Sequence, residues 1–140
     1  MAAPRYVDQT ARPIRILLVD DEHAVRIFME RLLTSFGHDV CSVAGAGEAL
    51  AFLERSDGGT DLVLTDVMMP GMNGCDLGRS VVERWPGLRI LFYSGYAAQH
   101  LVSDGICTDD MPLLQKPFPP ERLEEKIAEV MRRPPYRFGG

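Results

Sequence analysis

Five side chains able to do chemistry stand at the ends of short apolar runs: Asp20, Asp21, Asp66, Ser94 and Lys116. If these side chains met in one cleft, each pair of carboxylates would repel by about 4 kcal/mol at ~4 Å and an effective dielectric of ~20. The lysine would offset part of that repulsion, and a hard divalent cation would offset more. Mg²⁺ favours a few carboxylates with water and a phosphate oxygen, and a carboxylate is a competent nucleophile toward phosphorus. These residue types therefore indicate phosphoryl transfer, which depends on positioning and charge neutralisation.

The spacing of apolar residues predicts the elements that would position these side chains. Branched apolar runs indicate five buried strands, over residues 14–19, 39–43, 61–65, 88–93 and 111–115. Helical spacing predicts a helix after each strand, at 25–36, 49–53, about 75–84, about 97–103 and around 123–130. Alternating strands and helices form a parallel α/β sheet, because parallel strands need crossover connections. The carboxyl ends of such strands meet at the ligand-binding edge of a doubly wound sheet, so the five side chains are expected to converge there.

Length and composition restrict the class of protein. The 140 residues suit one domain, which we assign to residues 13–132, between a flexible lead-in at 1–12 and a flexible tail at 133–140. The net charge of −5 argues against nucleic acid as a direct partner, because phosphate-backbone binding needs clustered Lys and Arg. No apolar run approaches the ~20 residues of a membrane helix, and the N-terminus lacks the apolar segment of a signal peptide. We therefore expect a cytoplasmic protein without a membrane partner.

Other polar residues are assigned to structural roles. The cysteines are far apart without a CxxC pair and are expected to be free thiols: Cys41, Cys75 and Cys107. The histidines are scattered and fit surface or helix-cap positions: His23, His38 and His100. The charged run 121–126 fits a solvated helix face.

Four stretches carry a resemblance to a known family: ILLVDDE at 16–22, DLVLTDVMMPGMNG at 61–74, YSGY at 93–96 and LQKPF at 114–118. A single aspartate at a strand end is often only a helix N-cap, but that reading does not explain their joint occurrence at four strand ends. The stretches resemble the response-regulator receiver domain of bacterial two-component systems, and most of all the receivers attached to hybrid sensor histidine kinases. The resemblance covers about residues 13–132 and implies a flavodoxin-like (βα)5 fold, a doubly wound sheet with strand order 2-1-3-4-5.

The resemblance also implies roles for the acidic residues. Asp66 corresponds to the phosphoacceptor, which receives its phosphoryl group from a histidine kinase or histidine phosphotransferase and later loses it to water. Asp21 would bind Mg²⁺ directly, Asp20 largely through a water, and Met68 through its backbone carbonyl, with Mn²⁺ able to substitute. Such a domain is a signalling module rather than an enzyme, although it assists its own phosphorylation and dephosphorylation.

The remaining family positions concern the switch. Ser94 corresponds to the hydroxyl that moves to hydrogen-bond the phosphoryl group, and Lys116 to the lysine that pairs with it and precedes a cis proline. The family often has an aromatic residue at the position of Leu113, so an aromatic switch is not expected in this chain. Met68 and Tyr96 flank the path of the attacking water, and their bulk predicts slow to moderate autodephosphorylation.

Three questions stay open at this level. The first is the class of protein. One alternative is a haloacid dehalogenase-like phosphatase, which also has an acidic Mg²⁺ cleft but whose nucleophile follows the first strand. The other is a degenerate receiver, which would act as a constitutive interaction module. The chain is either a stand-alone receiver or a fragment of a hybrid kinase, and the eight residues after the last helix leave no room for an output domain. The face formed by the fourth helix, fifth strand and fifth helix is a candidate homodimer surface.

Overall fold

Five strands alternate with five helices along the chain. The computed structural model describes residues 13–57, 59–108 and 110–137, so the predicted lead-in at 1–12 lies outside the described residues. The strands are β1 (Arg15–Val19), β2 (Asp39–Val43), β3 (Leu62–Asp66), β4 (Arg89–Ser94) and β5 (Leu113–Gln115). The helices are α1 (His23–Ser35), α2 (Ala46–Ser56), α3 (Gly74–Arg84), α4 (Ala98–Ser103) and α5 (Pro120–Arg132). Within the described ranges, no helix is long and apolar enough to cross a membrane.

The strands form one parallel sheet in the order β2-β1-β3-β4-β5. Leu17 in β1 lies between Cys41 in β2 and Val63 in β3, which places β1 inside the sheet. The chain moves outward from β1 to β2 and then returns across β1 to β3, so the winding reverses at that point. This order confirms the predicted flavodoxin-like (βα)5 fold, whose ligand edge lies at the carboxyl ends of the strands where the winding reverses.

Both faces of the sheet are covered by helices. In β1, Leu17 and Val19 face one side, where α2, α3 and α4 pack, and Ile16 and Leu18 face the other side, where α1 and α5 pack. All four of these residues are buried. Burial on both faces explains why the strands are continuous apolar runs rather than alternating ones.

The expected surface position of His38 is wrong, because its side chain is only 3% exposed. Its Nδ1 accepts a hydrogen bond from the backbone N–H of Ile14, so Nε2 carries the proton and faces Glu124 Oε1 at 3.4 Å. Glu124 is buried beside Leu123 in α5, so the run 121–126 is not wholly a solvated face. Buried polar side chains are stabilised when they pair with each other. Local sequence patterns do not predict such a pairing between distant positions.

The segment after α5 returns to the domain. Arg89 Nε donates to the backbone carbonyl of Arg133 at 3.1 Å, and the ring of Tyr136 packs against the core on the α2–α3–α4 side. The Tyr136 hydroxyl lies 3.0 Å from both Thr108 Oγ1 and Asp110 Oδ1. Residues 138–140 fall outside the described residues, and the domain limits at 13 and 132 stay predictions.

Candidate functional site

The carboxyl ends of the strands bring the five predicted residues to one edge of the sheet. Asp66 and Ser94 are the last residues of β3 and β4. Asp20 and Asp21 directly follow β1, and Lys116 directly follows β5. The backbone N–H of Lys116 donates to the carbonyl of Ser94 at 2.7 Å, which fixes the end of β5 against the end of β4. The parallel sheet therefore places side chains from four separate stretches of sequence side by side.

Asp20, Asp21 and Asp66 form an acidic cluster. One carboxylate oxygen from each lies within 4.8 Å of the other two. Asp20 is fully buried and Asp66 is 6% exposed, whereas Asp21 is exposed. Three oxygen donors at this separation, open to solvent on one side, fit a hard divalent cation that keeps some of its waters.

The Asp66 carboxylate is held from two sides. Its Oδ1 accepts a hydrogen bond from the backbone N–H of Met68 at 3.2 Å, and its Oδ2 lies 3.5 Å from Lys116 Nζ. Burial raises the pKa of the Asp66 carboxyl above its ordinary value, the Lys116 charge lowers it, and the Asp20 charge raises it again. The net rise therefore comes first from burial of the carboxyl, and the charge of Lys116 offsets it only in part.

Both carboxylate oxygens of Asp20 accept hydrogen bonds. The backbone N–H of Glu22 donates to Oδ1 at 2.9 Å, and the Tyr93 hydroxyl donates to Oδ2 at 2.6 Å. Arg26 Nη1 donates to the backbone carbonyl of the same residue at 2.8 Å. Asp20 is thus a fixed, satisfied carboxylate, while its neighbour Asp21 is exposed to solvent.

Tyr93 is a site residue that the sequence analysis missed. Besides bonding Asp20, its ring lies under the ammonium of Lys116, with Nζ 4.9 Å from the ring centroid. Burial, followed by the charge of Asp20, raises the pKa of the Tyr93 hydroxyl, so it stays a protonated donor. One signal for it was present: a tyrosine within an apolar buried strand needs a partner for its hydroxyl.

The loops after β3 and β4 place Met68 and Tyr96 beside the carboxylate and the hydroxyl. The Ser94 hydroxyl oxygen accepts a hydrogen bond from the backbone N–H of Tyr96 at 3.0 Å, as Asp66 accepts from Met68. The side chains of Met68 and Tyr96 are 40% and 55% exposed, while Ser94 is fully buried. The two bulky side chains therefore stand at the solvent-facing rim of the site.

Gly74, the first residue of α3, allows that helix to start against the end of β3. A Cβ atom at this position would lie 2.1 Å from the Asp66 carbonyl oxygen and 2.9 Å from Val67 Cα. The preceding Asn73 caps the helix, since its side chain accepts from the backbone N–H of Asp76 at 2.9 Å. The close approach fixes the backbone that carries the phosphoacceptor candidate.

The last two predicted features lie at β5. The Lys116–Pro117 peptide bond is cis, as the resemblance implied. Leu113, the first residue of β5, is half-buried, pairs with Phe92 of β4 and packs against the core on the α2–α3–α4 side. An aliphatic side chain therefore occupies the position where the family often has an aromatic ring.

Residues 16–128 match the family model described as the response regulator receiver domain. With the strand order and the acidic cluster already described, this match assigns the class: the chain belongs to the response-regulator receiver family of two-component systems. Receiver domains are signalling domains that interact with histidine kinases or phosphotransferases and bind Mg²⁺ at an acidic pocket.

Individual relatives agree with this assignment. The chain is 35% identical over 118 residues to the sensor kinase CckA of Brucella abortus, a match that covers 84% of this chain and 12% of that protein. It is 33% identical over 117 residues to the response regulator receiver protein CpdR of the same organism, with 84% and 96% covered. The crystal structure of the receiver domain from the hybrid histidine kinase CckA is similar, with a TM-score of 0.69, 32% identity and coverage of 84% of this chain and 98% of that one. The chain therefore spans about an eighth of one relative and nearly all of another.

Proposed function

We propose that this receiver takes a phosphoryl group onto Asp66 from a phosphohistidine of a histidine kinase or histidine phosphotransferase, in a Mg²⁺-dependent reaction. The observation that carries the proposal is the place of the Asp66 carboxylate. It belongs to the acidic cluster with Asp20 and Asp21, and its Oδ2 is 3.5 Å from Lys116 Nζ. A nucleophilic oxygen thus lies beside both a candidate cation site and a fixed positive charge, which is what phosphoryl transfer requires.

The acidic cluster would hold the Mg²⁺, with the backbone carbonyl of Met68 as a further ligand and Mn²⁺ as a substitute. Asp21 is exposed and suited to direct contact. Both oxygens of Asp20 already accept hydrogen bonds, which favours contact through a water molecule. When bound, the cation neutralises charge on the transferring phosphoryl group. The Asp66 carboxyl, whose pKa is raised first by burial and further by the charge of Asp20, would be stabilised in its ionised form by a cation at this place.

In the transfer, an oxygen of Asp66 forms the new bond to phosphorus while the phosphorus–nitrogen bond of the donor imidazole breaks. Lys116 then pairs with the phosphoryl oxygens, and the Ser94 hydroxyl, which now accepts from the Tyr96 N–H, turns to donate to them. The product is an acyl phosphate that water hydrolyses back to the carboxylate. The protein thus acts as a signalling domain that assists its own phosphorylation and dephosphorylation.

We assign the control of hydrolysis to Met68 and Tyr96, whose exposed side chains stand at the rim of the site. They restrict the approach of water to the acyl phosphate and keep autodephosphorylation slow to moderate. The half-buried Leu113 is aliphatic, so this receiver has no aromatic switch at that position. We therefore assign the transmission of phosphorylation to a movement of Ser94 and of α4, the helix that follows it. Going from 1% to 99% active requires about 5.5 kcal/mol of differential stabilisation, and a smaller gain gives a graded response.

The setting of the reaction is part of the same proposal. The receiver domain spans 13–132, works in the cytoplasm and uses neither a nucleic-acid nor a membrane partner. Its homodimer surface, if it pairs, is the face of α4, β5 and α5. This face is proposed because it is the usual partner or dimer surface of the family. Its helix α4 has six residues, of which Leu101 is buried.

The proposal is tested by incubating the protein with Mg²⁺ and acetyl phosphate or phosphoramidate and measuring its intact mass. We expect an adduct of about 80 Da in the wild-type protein, which is the mass of one phosphoryl group. Asp66→Asn removes the adduct. Asp61→Asn is the matched control, since Asp61 is an exposed aspartate at the opposite end of β3, where it accepts from the Arg15 N–H at 2.9 Å.

The outcomes separate the alternatives. No adduct from small donors or from a phosphorylated kinase would identify a degenerate receiver. Steady turnover of an external phosphoester would identify a hydrolase. An adduct that persists in Asp66→Asn would contradict the assignment of the phosphoacceptor.

A further inference from the structure

A pair of buried thiols lies just below the site. Cys75 is the second residue of α3, and Cys107 lies in the connection between α4 and β5, 32 positions further along the chain. Their Sγ atoms are 3.3 Å apart, and the two residues are 2% and 5% exposed. The third cysteine, Cys41, is exposed in β2. The prediction of three free thiols is confirmed, but the wide spacing in sequence concealed that two of them touch.

The surroundings of the pair are apolar. Met111 Sδ lies 4.0 Å from Cys75 Sγ, and both cysteines belong to the core cluster on the α2–α3–α4 side. No carboxylate or ammonium is hydrogen-bonded to either sulfur among the described residues. The charges of Arg79 and Asp76 act on Cys75 in opposite directions, and in the described part of the chain neither residue is hydrogen-bonded to its sulfur. The two thiols are therefore in contact with each other in an apolar core, which is the arrangement a disulfide needs.

We propose that Cys75 and Cys107 are a modification site, joined in an intramolecular disulfide when the protein meets a hydroperoxide. One S–S bond forms as two S–H bonds break, and the two sulfurs together lose two electrons. The hydroperoxide accepts those electrons and the two protons, its O–O bond breaks, and it leaves as water and an alcohol, or as two waters for hydrogen peroxide. A thiol reductant reverses the reaction by exchange.

Access limits the rate of this reaction. Burial is the largest cause that raises the pKa of both thiols, so neither is a thiolate in the closed fold. Oxidation therefore proceeds from conformations in which the region around α4 opens. That helix has six residues and one buried side chain, Leu101. Cys41 needs no such opening, so it supplies an internal reference for an accessible thiol.

The bond would act next to the site. Cys75 follows Gly74, which packs directly on the backbone of Asp66. Cys107 follows α4, the helix that begins a few residues after Ser94. A disulfide would therefore tie the start of α3 to the end of α4 and restrict the part of the domain that surrounds Asp66. The inference rests on the thiol geometry alone and is independent of the proposed phosphoryl transfer.

The test uses the Cys41→Ser variant, which keeps the native pair and removes the accessible thiol. The protein is treated with hydrogen peroxide, quenched, unfolded and alkylated, and its intact mass and peptide map are measured. We expect two alkylations before oxidation and none after it, a loss of about 2 Da, and a linked peptide that contains Cys75 and Cys107. Dithiothreitol should restore both alkylations. The oxidised protein should also melt several degrees higher than the reduced one, because the cross-link constrains the unfolded chain.

The control is Cys41→Ser combined with Cys107→Ala, in which Cys75 has no partner and gains only oxygen atoms. Three results would overturn the proposal. In the first, both thiols of the Cys41→Ser variant remain alkylatable under conditions that fully oxidise Cys41 in the wild-type protein. The pair could end as separate sulfinic acids with no linked peptide. The two thiols could become alkylatable only after a chelator is added, which would mark a soft-metal site instead.

Discussion

The hydroxyl of Tyr93 in β4 donates a 2.6 Å hydrogen bond to Oδ2 of Asp20, which follows β1 and is fully buried. Because β3 lies between β1 and β4, this bond crosses above the end of β3, where Asp66 stands. The ammonium of Lys116 also lies over the Tyr93 ring, with Nζ 4.9 Å from the ring centroid. The Tyr93 side chain therefore positions two residues of opposite charge in the site, Asp20 and Lys116.

Tyr93→Phe should destabilise the fold. The change keeps the ring but leaves a buried carboxylate oxygen of Asp20 without its donor, at a cost of about 1–3 kcal/mol. The free energy of unfolding, measured in urea without divalent cations, gives the value. Tyr96→Phe is the control, because Tyr96 is 55% exposed and its substitution should change stability by less than about 0.5 kcal/mol. Equal stabilities for the two variants would show that the Tyr93 hydroxyl contributes nothing to the fold.

Gly74→Ala should displace the start of α3 from the end of β3. Its Cβ would lie 2.1 Å from the backbone oxygen of Asp66, so the backbone itself must shift, at a cost of about 2–3 kcal/mol. Gly47→Ala in α2 is the matched control: nothing lies within 4 Å of its Cβ, and alanine should stabilise that helix by about 0.5–1 kcal/mol. Urea unfolding of both proteins tests the pair. If Gly74→Ala were as stable as Gly47→Ala, the described approach of α3 to β3 would be wrong.

Asp66→Asn should stabilise the protein at neutral pH when no divalent cation is present. Burial raises the pKa of the folded carboxyl above its ordinary value of 3.8, so the stability this group contributes is complete below that pH and is lost as pH rises through the folded pKa. Asparagine avoids the loss. Melting temperatures should therefore differ at pH 7 in favour of the variant and converge as the pH falls toward 4. A variant that melts below the wild type at pH 7 would contradict the sign.

Added Mg²⁺ should reverse that order. Binding to the folded state alone stabilises the wild-type protein by about 2.7 kcal/mol when the cation is at 100 times its Kd, and less in Asp66→Asn, which has lost one carboxylate. Melting curves over a series of Mg²⁺ concentrations measure the effect. A wild-type melting temperature that does not respond to Mg²⁺ or Mn²⁺ would argue against the proposed cation site.

Met68→Asn and Tyr96→Ala should shorten the lifetime of the acyl phosphate. Each opens the rim of the site to water, and together we expect a change on the order of tenfold, equivalent to about 1.4 kcal/mol of barrier. The half-life is measured by following the intact mass over time as the adduct of about 80 Da, one phosphoryl group per chain, is lost. Phe28→Ala serves as the control, since Phe28 is a 61% exposed residue of α1 rather than of the loops at the site. An unchanged half-life in both rim variants would exclude steric control by these side chains.

The sheet and the convergence of the strand ends were predictable because both follow from the spacing of apolar residues, which is a local property of the sequence. Asp66, Ser94 and Lys116 each end or follow an apolar run, so the rule for parallel sheets was enough to place them together. Partnerships across the fold were not predictable in this way. His38 with Glu124 joins positions 86 apart, and nothing local in the sequence marks either as a partner of the other.

The same reasoning explains the other two omissions. Tyr93 and Asp20 lie 73 positions apart, and only the need of a buried tyrosine for a hydroxyl partner hinted at the bond. The contact between Cys75 and Cys107 depends on how α3 and the α4–β5 connection pack on one face of the sheet. Periodicity gives the face of each element, but the neighbour of a given side chain within that face is set by tertiary packing.

The most direct test of the central claim is to locate the phosphoryl group in the chain. The protein is phosphorylated with acetyl phosphate and Mg²⁺, reduced with borohydride, which converts an acyl phosphate of aspartate to homoserine, and sequenced by tandem mass spectrometry. We expect homoserine at position 66 and aspartate at positions 20, 21 and 61. Homoserine at another aspartate, or a phosphate that survives reduction on a serine, would contradict it.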